Sequence, residues 1–129
     1  MQVTVETKTI QAIDGQKQII QQKGNGTFEV HEKGSVLSWK VKEEKQEFRM
    51  TILENKIILK TNNGTRTFEL GKKTKTILQT EYGNLNMYIK TKKMQVLKQT
   101  EIRKIELIYD IQIENTKIYE NIVEITIKS

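Results

Sequence analysis

From Ile105 to Lys128 apolar side chains recur at almost every second position. Ile105, Leu107, Tyr109, Ile111 and Ile113 alternate with Glu106, Ile108, Asp110, Gln112 and Glu114. After Asn115-Thr116, Tyr119, Asn121, Val123, Ile125 and Ile127 alternate with Glu120, Ile122, Glu124, Thr126 and Lys128. A period of two describes a strand with one buried face. A hairpin must put both apolar faces on the same side, because a slip of one residue turns one of them outward. This excludes a strict two-residue loop at Asn115-Thr116. A three-residue loop, Asn115 to Lys117, pairs Ile113 with Tyr119, Tyr109 with Val123, Leu107 with Ile125 and Ile105 with Ile127. Ile113 opposite Asn121 is the alternative register, and an odd displacement is incompatible with either.

The same grammar extends along the chain. Turn chemistry recurs at Asp14-Gly15, Gly24-Asn25-Gly26, Lys33-Gly34-Ser35, Glu54-Asn55-Lys56, Asn62-Asn63-Gly64, Gly71-Lys72-Lys73, Tyr82-Gly83-Asn84 and Asn115-Thr116. Short strands punctuated this often indicate an all-β sandwich or barrel. The expected strands are residues 3–10, 17–23, 27–32, 36–42, 47–53, 56–61, 65–70, 74–81, 84–93, 103–114 and 117–128. Residues 41–48 and 92–104 are rich in Lys, Glu and Gln, but neither holds an apolar stripe of period 3.6 beyond about one turn. The first reads as a polar hairpin loop and the second as a long, bent or bulged strand connection.

Ile, Thr, Val and Tyr, which suit a pleated half-buried surface, are abundant, whereas alanine occurs once and proline not at all. The 129 residues are 36 % hydrophobic, enough for one core and one domain spanning 1–129. The absence of cysteine removes disulfides, thiolate chemistry and Cys-ligated metals together. Residues 1–10 alternate polar and apolar rather than forming an apolar run, and no segment is long enough to span a membrane as a helix. A soluble cytoplasmic protein is expected.

Phe68 with Gly71 and Thr74, the stretch Leu78-Gln79-Thr80-Glu81-Tyr82-Gly83-Asn84-Leu85, and Tyr109-Asp110 with Asn121 resemble the YwiB-like family of small bacterial β-barrels. Gly26-Thr27-Phe28 followed by Leu37-Ser38-Trp39 fits the same pattern, with Trp39 where a tyrosine is expected. The resemblance covers nearly the whole chain through turn glycines and core aromatics. It implies an antiparallel, mostly up-and-down, lipocalin-like or calycin-like barrel of about eight to ten strands. It implies no activity and no catalytic residues.

The residues themselves favour a non-enzyme. His31 is the only histidine, and a pairing with Ser35 or Ser38 oriented by Asp110 has no support in the spacing. Asp110 falls on the outer face of its strand. Glu43-Glu44 lies in a lysine-flanked polar run and reads as a solvated hairpin, so no metal site and no cofactor is expected. Gly24-Asn25-Gly26 has no following helix to make a phosphate cradle, and a bulge or tight turn is the better account. Phe28, Phe48, Met50, Ile52, Phe68, Leu85, Met87 and Ile89 are assigned to the core.

Two binding modes follow. A barrel interior lined by Trp39, Met50, Met87 and Tyr109 would take a small apolar or amphipathic ligand. The alternative is an anionic partner, RNA or another polyanion, on the outer surface. The whole chain carries +6, and residues 72–93 hold six lysines (Lys72, Lys73, Lys75, Lys90, Lys92, Lys93) against one acid, Glu81. A turn near Tyr82-Gly83-Asn84 brings the two lysine groups to one end of a hairpin. Tyr88, out of phase with Leu85, Met87 and Ile89, faces outward beside them to stack a base while the lysines meet phosphates.

Overall fold

The β-branched, proline-free sequence forms strands throughout. The computed structural model describes residues 1–41 and 43–129, and among these no helix occurs. The strands are β1 (Gln2–Ile13), β2 (Gln16–His31), β3 (Gly34–Val41), β4 (Gln46–Leu53), β5 (Lys56–Thr61), β6 (Gly64–Glu69), β7 (Lys73–Thr80), β8 (Gly83–Lys98), β9 (Ile102–Ile113) and β10 (Tyr119–Lys128). They form one antiparallel sheet in the order β6-β5-β4-β3-β2-β1-β10-β9-β8-β7. Every neighbour is next in sequence except β1 and β10, which pair from Thr4↔Lys128 to Ala12↔Glu120. The result is an up-and-down barrel, as expected.

The sheet's two ends, β6 and β7, meet at a seam held by side chains instead of a backbone ladder. Thr74 Oγ1 donates to the Thr67 carbonyl at 2.6 Å, and Thr76 Oγ1 donates to the Thr65 carbonyl. The backbone contributes Gln79 N to Asn63 O at 3.0 Å and Gly71 N to Thr91 O at 2.9 Å. Threonine serves here because its hydroxyl donates to carbonyls that an edge strand leaves unpaired.

Inside, Val3, Val5, Phe28, Leu37, Trp39, Val41, Met50, Ile57, Phe68, Met87, Ile89, Ile105, Leu107, Tyr109, Ile111, Ile125 and Ile127 are buried in one cluster, with Phe48 and Ile52 packed against it. These are the inward residues of each period-two strand.

Two expectations change. Residues 17–23 and 27–32 belong to one strand, so Gly24-Asn25-Gly26 is strand interior and neither turn nor bulge. β3 crosses there so closely that a Cβ on Gly26 would fall on the Ser38 carbonyl oxygen, with Trp39 Cα at 2.7 Å. A Cβ on Gly24 would meet the Lys40 carbonyl. The glycines are needed for close backbone approach, which the sequence alone does not distinguish from a turn.

The β9–β10 hairpin keeps the expected same-face pairing, but pairs Ile111 with Tyr119, Tyr109 with Asn121, Leu107 with Val123 and Ile105 with Ile125. This is two residues from the first register and on the opposite side from the alternative. Its turn closes early, through Thr116 N and Oγ1 on the Ile113 carbonyl at 3.1 and 2.6 Å. Glu114, at φ 52°, is fixed by its N–H on Asn86 O at 2.7 Å.

The stretch 92–104 is mostly strand: β8 continues to Lys98 after a bulge between Thr91 and Lys93. Residues 43–45 form the β3–β4 turn, whereas Lys42, the expected end of strand 36–42, lies outside the described residues.

Candidate functional site

Strand alternation puts Trp39, Met50, Met87 and Tyr109 on the inner wall, all buried. Trp39 stacks on Phe48, ring centroids 4.9 Å apart at 17°. Met50 and Met87 are enclosed by the apolar cluster. Trp39 also borders a cleft of about 490 Å³ where Asn25, Ser38, Lys40, Glu47, Arg49 and Lys60 converge. Tyr109 alone of the four carries a hydroxyl, and its surroundings are mixed. Phe68 meets its ring edge-on at 4.9 Å and 61°. On either side, Thr91 and Asn121 are its direct cross-strand partners. Gln11 of β1 continues the row beyond Asn121. Arg66, in phase with Phe68 on β6, lies close enough to act on the phenol.

Thr91 is 1 % exposed and Asn121 5 %, yet Thr91 Oγ1 and Asn121 Oδ1 have no hydrogen-bond partner among the described residues. Leaving such a group unpaired in an interior costs about 1–3 kcal/mol. The inner wall therefore holds a polar row, Thr91–Tyr109–Asn121, with a guanidinium beside it. Of this row, the sequence pointed to Tyr109 alone as a ligand contact, beside Trp39, Met50 and Met87 elsewhere on the wall. The signal for the others was present: each is a polar residue at an inward position, Thr91 after Met87 and Ile89, Asn121 between Tyr119 and Val123, and Arg66 before Phe68.

Burial is the largest influence on Tyr109 and raises its pKa above 10.0, against the lowering effects of Arg66 and Asn121. A raised folded-state pKa means that the unfolded phenol ionises first. The contribution is fully present below pH 10 and is lost as pH rises toward the folded-state value. Urea unfolding should therefore show stability falling above about pH 10, and Tyr109→Phe should make that fall shallower. Lys92, raised by hydrogen bonds to Glu120 and then Asp110, falls in the same direction in both proteins and cancels in the comparison.

On the outer wall β7 and β8 place Lys73 directly opposite Lys90 and Lys75 opposite Tyr88. Lys73 Nζ lies 5.1 Å from the Tyr88 ring centroid. A pocket of about 110 Å³ is lined by Lys73, Tyr88, Lys90, Asp110, Gln112 and Ile118. The other three lysines are neutralised: Lys72 by Glu69 at 3.0 Å, Lys93 by Glu106 at 3.2 Å, and Lys92 by Asp110 and Glu120 at 3.0 and 2.5 Å. Among the described residues, no carboxylate lies within ion-pair distance of Lys73, Lys75 or Lys90.

His31 sits at the end of β2 beside Glu29 at 3.4 Å, and two strands separate β2 from the β9 that carries Asp110. Among the described residues no three or more His, Asp or Glu converge as metal ligands, and no helix is long and apolar enough to cross a membrane.

The family described as "Domain of unknown function (DUF1934)" matches residues 3–125. The chain belongs to that family. The DUF1934 barrel seen here is similar to the crystal structure of YwiB protein from Bacillus subtilis, with a TM-score of 0.85 and 18 % sequence identity over 99 % of this chain and 91 % of that one. At that identity the likeness establishes the fold alone. No curated protein matches this DUF1934 sequence.

Proposed function

We propose that this barrel is a non-enzymatic binding protein that takes the hydrogen-bonding head of a small amphipathic molecule at the Thr91–Tyr109–Asn121 row. The observation that carries the reading is the pair of unpartnered buried atoms, Thr91 Oγ1 and Asn121 Oδ1. Native proteins seldom leave such groups without a partner. Arg66 favours an anionic oxygen on the head group, and the asparagine carbonyl favours an O–H or N–H donor.

Native mass spectrometry of the purified protein should show a bound small molecule. Asn121→Leu should remove it, together with the ligand-linked stabilisation of about 2.7 kcal/mol that a hundredfold excess over Kd provides. A wild-type protein with no adduct, accompanied by an Asn121→Leu variant of equal or greater stability, would assign the row to packing alone.

A second reading, binding of RNA or another polyanion on the outer wall, is favoured by Lys73 facing Lys90 with neither in an ion pair among the described residues, since Asp110, opposite Lys90 on β9, is engaged by Lys92. Like charges in direct opposition destabilise a sheet, and a phosphate between them relieves the repulsion. In salt-titrated binding to mixed-sequence single-stranded RNA, replacing Lys73, Lys75 and Lys90 by Gln should flatten the log–log slope by about two to three units. The matched triple variant at the ion-paired Lys72, Lys92 and Lys93 should change it far less. Equal slopes in both variants would show that the three unpaired lysines form no site.

A further inference from the structure

β2 is longer than the sheet needs on one side. β1 pairs with it from Gln2↔Thr27 to Ile13↔Gln16, whereas β3 pairs only from Gly24↔Val41 to His31↔Gly34. Among the described residues, the segment Gln16–Gln21 therefore has one edge with no strand beside it. At its far end, the side chain of Gln22 donates to Glu44 Oε2 at 2.9 Å, so the acidic β3–β4 turn closes the edge there. At its centre stand Ile19, 60 % exposed, and Ile20, 41 % exposed.

Ile19 is also the end of a longer feature. It pairs with Ile10 of β1, Ile10 with Ile122 of β10, and Ile122 with Ile108 of β9. Four isoleucines thus cross four adjacent strands in a single row on the outer wall, ending at Lys93 of β8 on one side and at the free edge on the other. Another long stretch with an unpaired edge, β8 beyond its bulge, carries Lys93 and Lys98, and lysine guards an edge against pairing. The centre of the β2 edge, Gln18-Ile19-Ile20-Gln21, has no charge.

We propose that this edge pairs with the same edge of a second copy of the chain, forming a twofold dimer with a continuous sheet. A twofold axis perpendicular to the sheet makes the strands antiparallel and keeps outer faces on the same side, so the pairing must centre on one residue. Centred on Ile20, it would put Gln18 opposite Gln22, where the β3–β4 turn already closes the edge. Centred on Ile19, it places Lys17 opposite Gln21 and Gln18 opposite Ile20, all within the free edge. That register brings the two Ile19 side chains together and joins the two rows into one stripe of eight isoleucines. It also sets Lys17 of the second copy beside the turn that bears Glu43 and Glu44. The extent of the free edge and apolar continuity select the same register.

Sedimentation velocity across a wide concentration range should show a reversible monomer–dimer equilibrium, and Ile19→Lys should raise its Kd at least tenfold, with an unchanged melting temperature at concentrations where both proteins are monomeric. Because the chain has no cysteine, a single introduced thiol reports the register without background. Ile19→Cys should be captured as a covalent dimer by a short bismaleimide, whereas Thr27→Cys, on the same strand beyond the free edge, should not. A protein that is monomeric at every concentration, or whose Thr27→Cys variant is captured as readily as Ile19→Cys, would overturn the proposal. So would an Ile19→Lys variant that dimerises as the parent does.

Discussion

Gly26→Ala is expected to cost about 3 kcal/mol and to lower the melting temperature by roughly 12 °C. An added methyl usually reduces backbone freedom and is harmless where space allows. Here the new Cβ would land on the Ser38 carbonyl, and the atoms that must yield are backbone rather than the flexible end of a side chain. β2 and β3 would have to separate where Gly26 pairs with Trp39, which also loosens the Trp39–Phe48 stack. Thermal unfolding followed by Trp39 fluorescence measures the effect, since the chain has one tryptophan and it is buried. Gly15→Asn is the matched control. It has nothing within 4 Å of its Cβ, and its φ of +79° is one that asparagine tolerates. A loss below about 1 kcal/mol is expected there. If Gly26→Ala is equally mild, the close approach does not constrain the fold.

Phe68→Ala should cost about 4 kcal/mol in urea unfolding, within the range for a large buried aromatic. Phe68 is 1 % exposed and comes from β6, a six-residue strand beside the seam, so few neighbours can collapse into the cavity. Its edge-to-face contact with Tyr109 spans the interior between β6 and β9. A double-mutant cycle with Tyr109→Phe should show little coupling, because the ring is retained, whereas a cycle with Tyr109→Leu should recover about 1 kcal/mol of aromatic pairing. A Phe68→Ala loss under about 1.5 kcal/mol would mean that the interior can close around the gap.

The fold was legible because its information is local. Alternation at residues 105–127 assigned Ile105, Leu107, Tyr109, Ile111, Ile125 and Ile127 to the interior, and all six are buried. Phe28, Met50, Phe68, Met87 and Ile89, assigned to the core by default, are buried as well, whereas Leu85, assigned with them, is only half-buried and lies outside the cluster. Gly24 and Gly26 misled because glycine permits both a turn and a close strand crossing, and only the path of β3 decides between them. The hairpin register moved because a hydroxyl and a backbone N–H at Thr116 both close on Ile113, a choice that apolar parity does not constrain. On the outer wall, lysines counted along the sequence overstated the patch. Asp110, Glu106 and Glu120, which neutralise Lys92 and Lys93, come from β9 and β10 and become neighbours only when the sheet forms. The inner polar row was visible as residues out of character with their positions, but its convergence with Arg66 depends on closure of the barrel.

That closure has a consequence for the order of assembly. Each hairpin of the ladder joins strands adjacent in sequence and can form as soon as both have left the ribosome. The single pairing that cannot is β1 with β10, whose partners run from Thr4↔Lys128 to Ala12↔Glu120. During synthesis β1 therefore waits with an open edge and with Ile10 uncovered until the last strand emerges. Its threonines and one lysine, Thr4, Thr7, Lys8 and Thr9, keep this waiting edge polar, and β10, with Ile122, Ile125 and Ile127, completes the wall last.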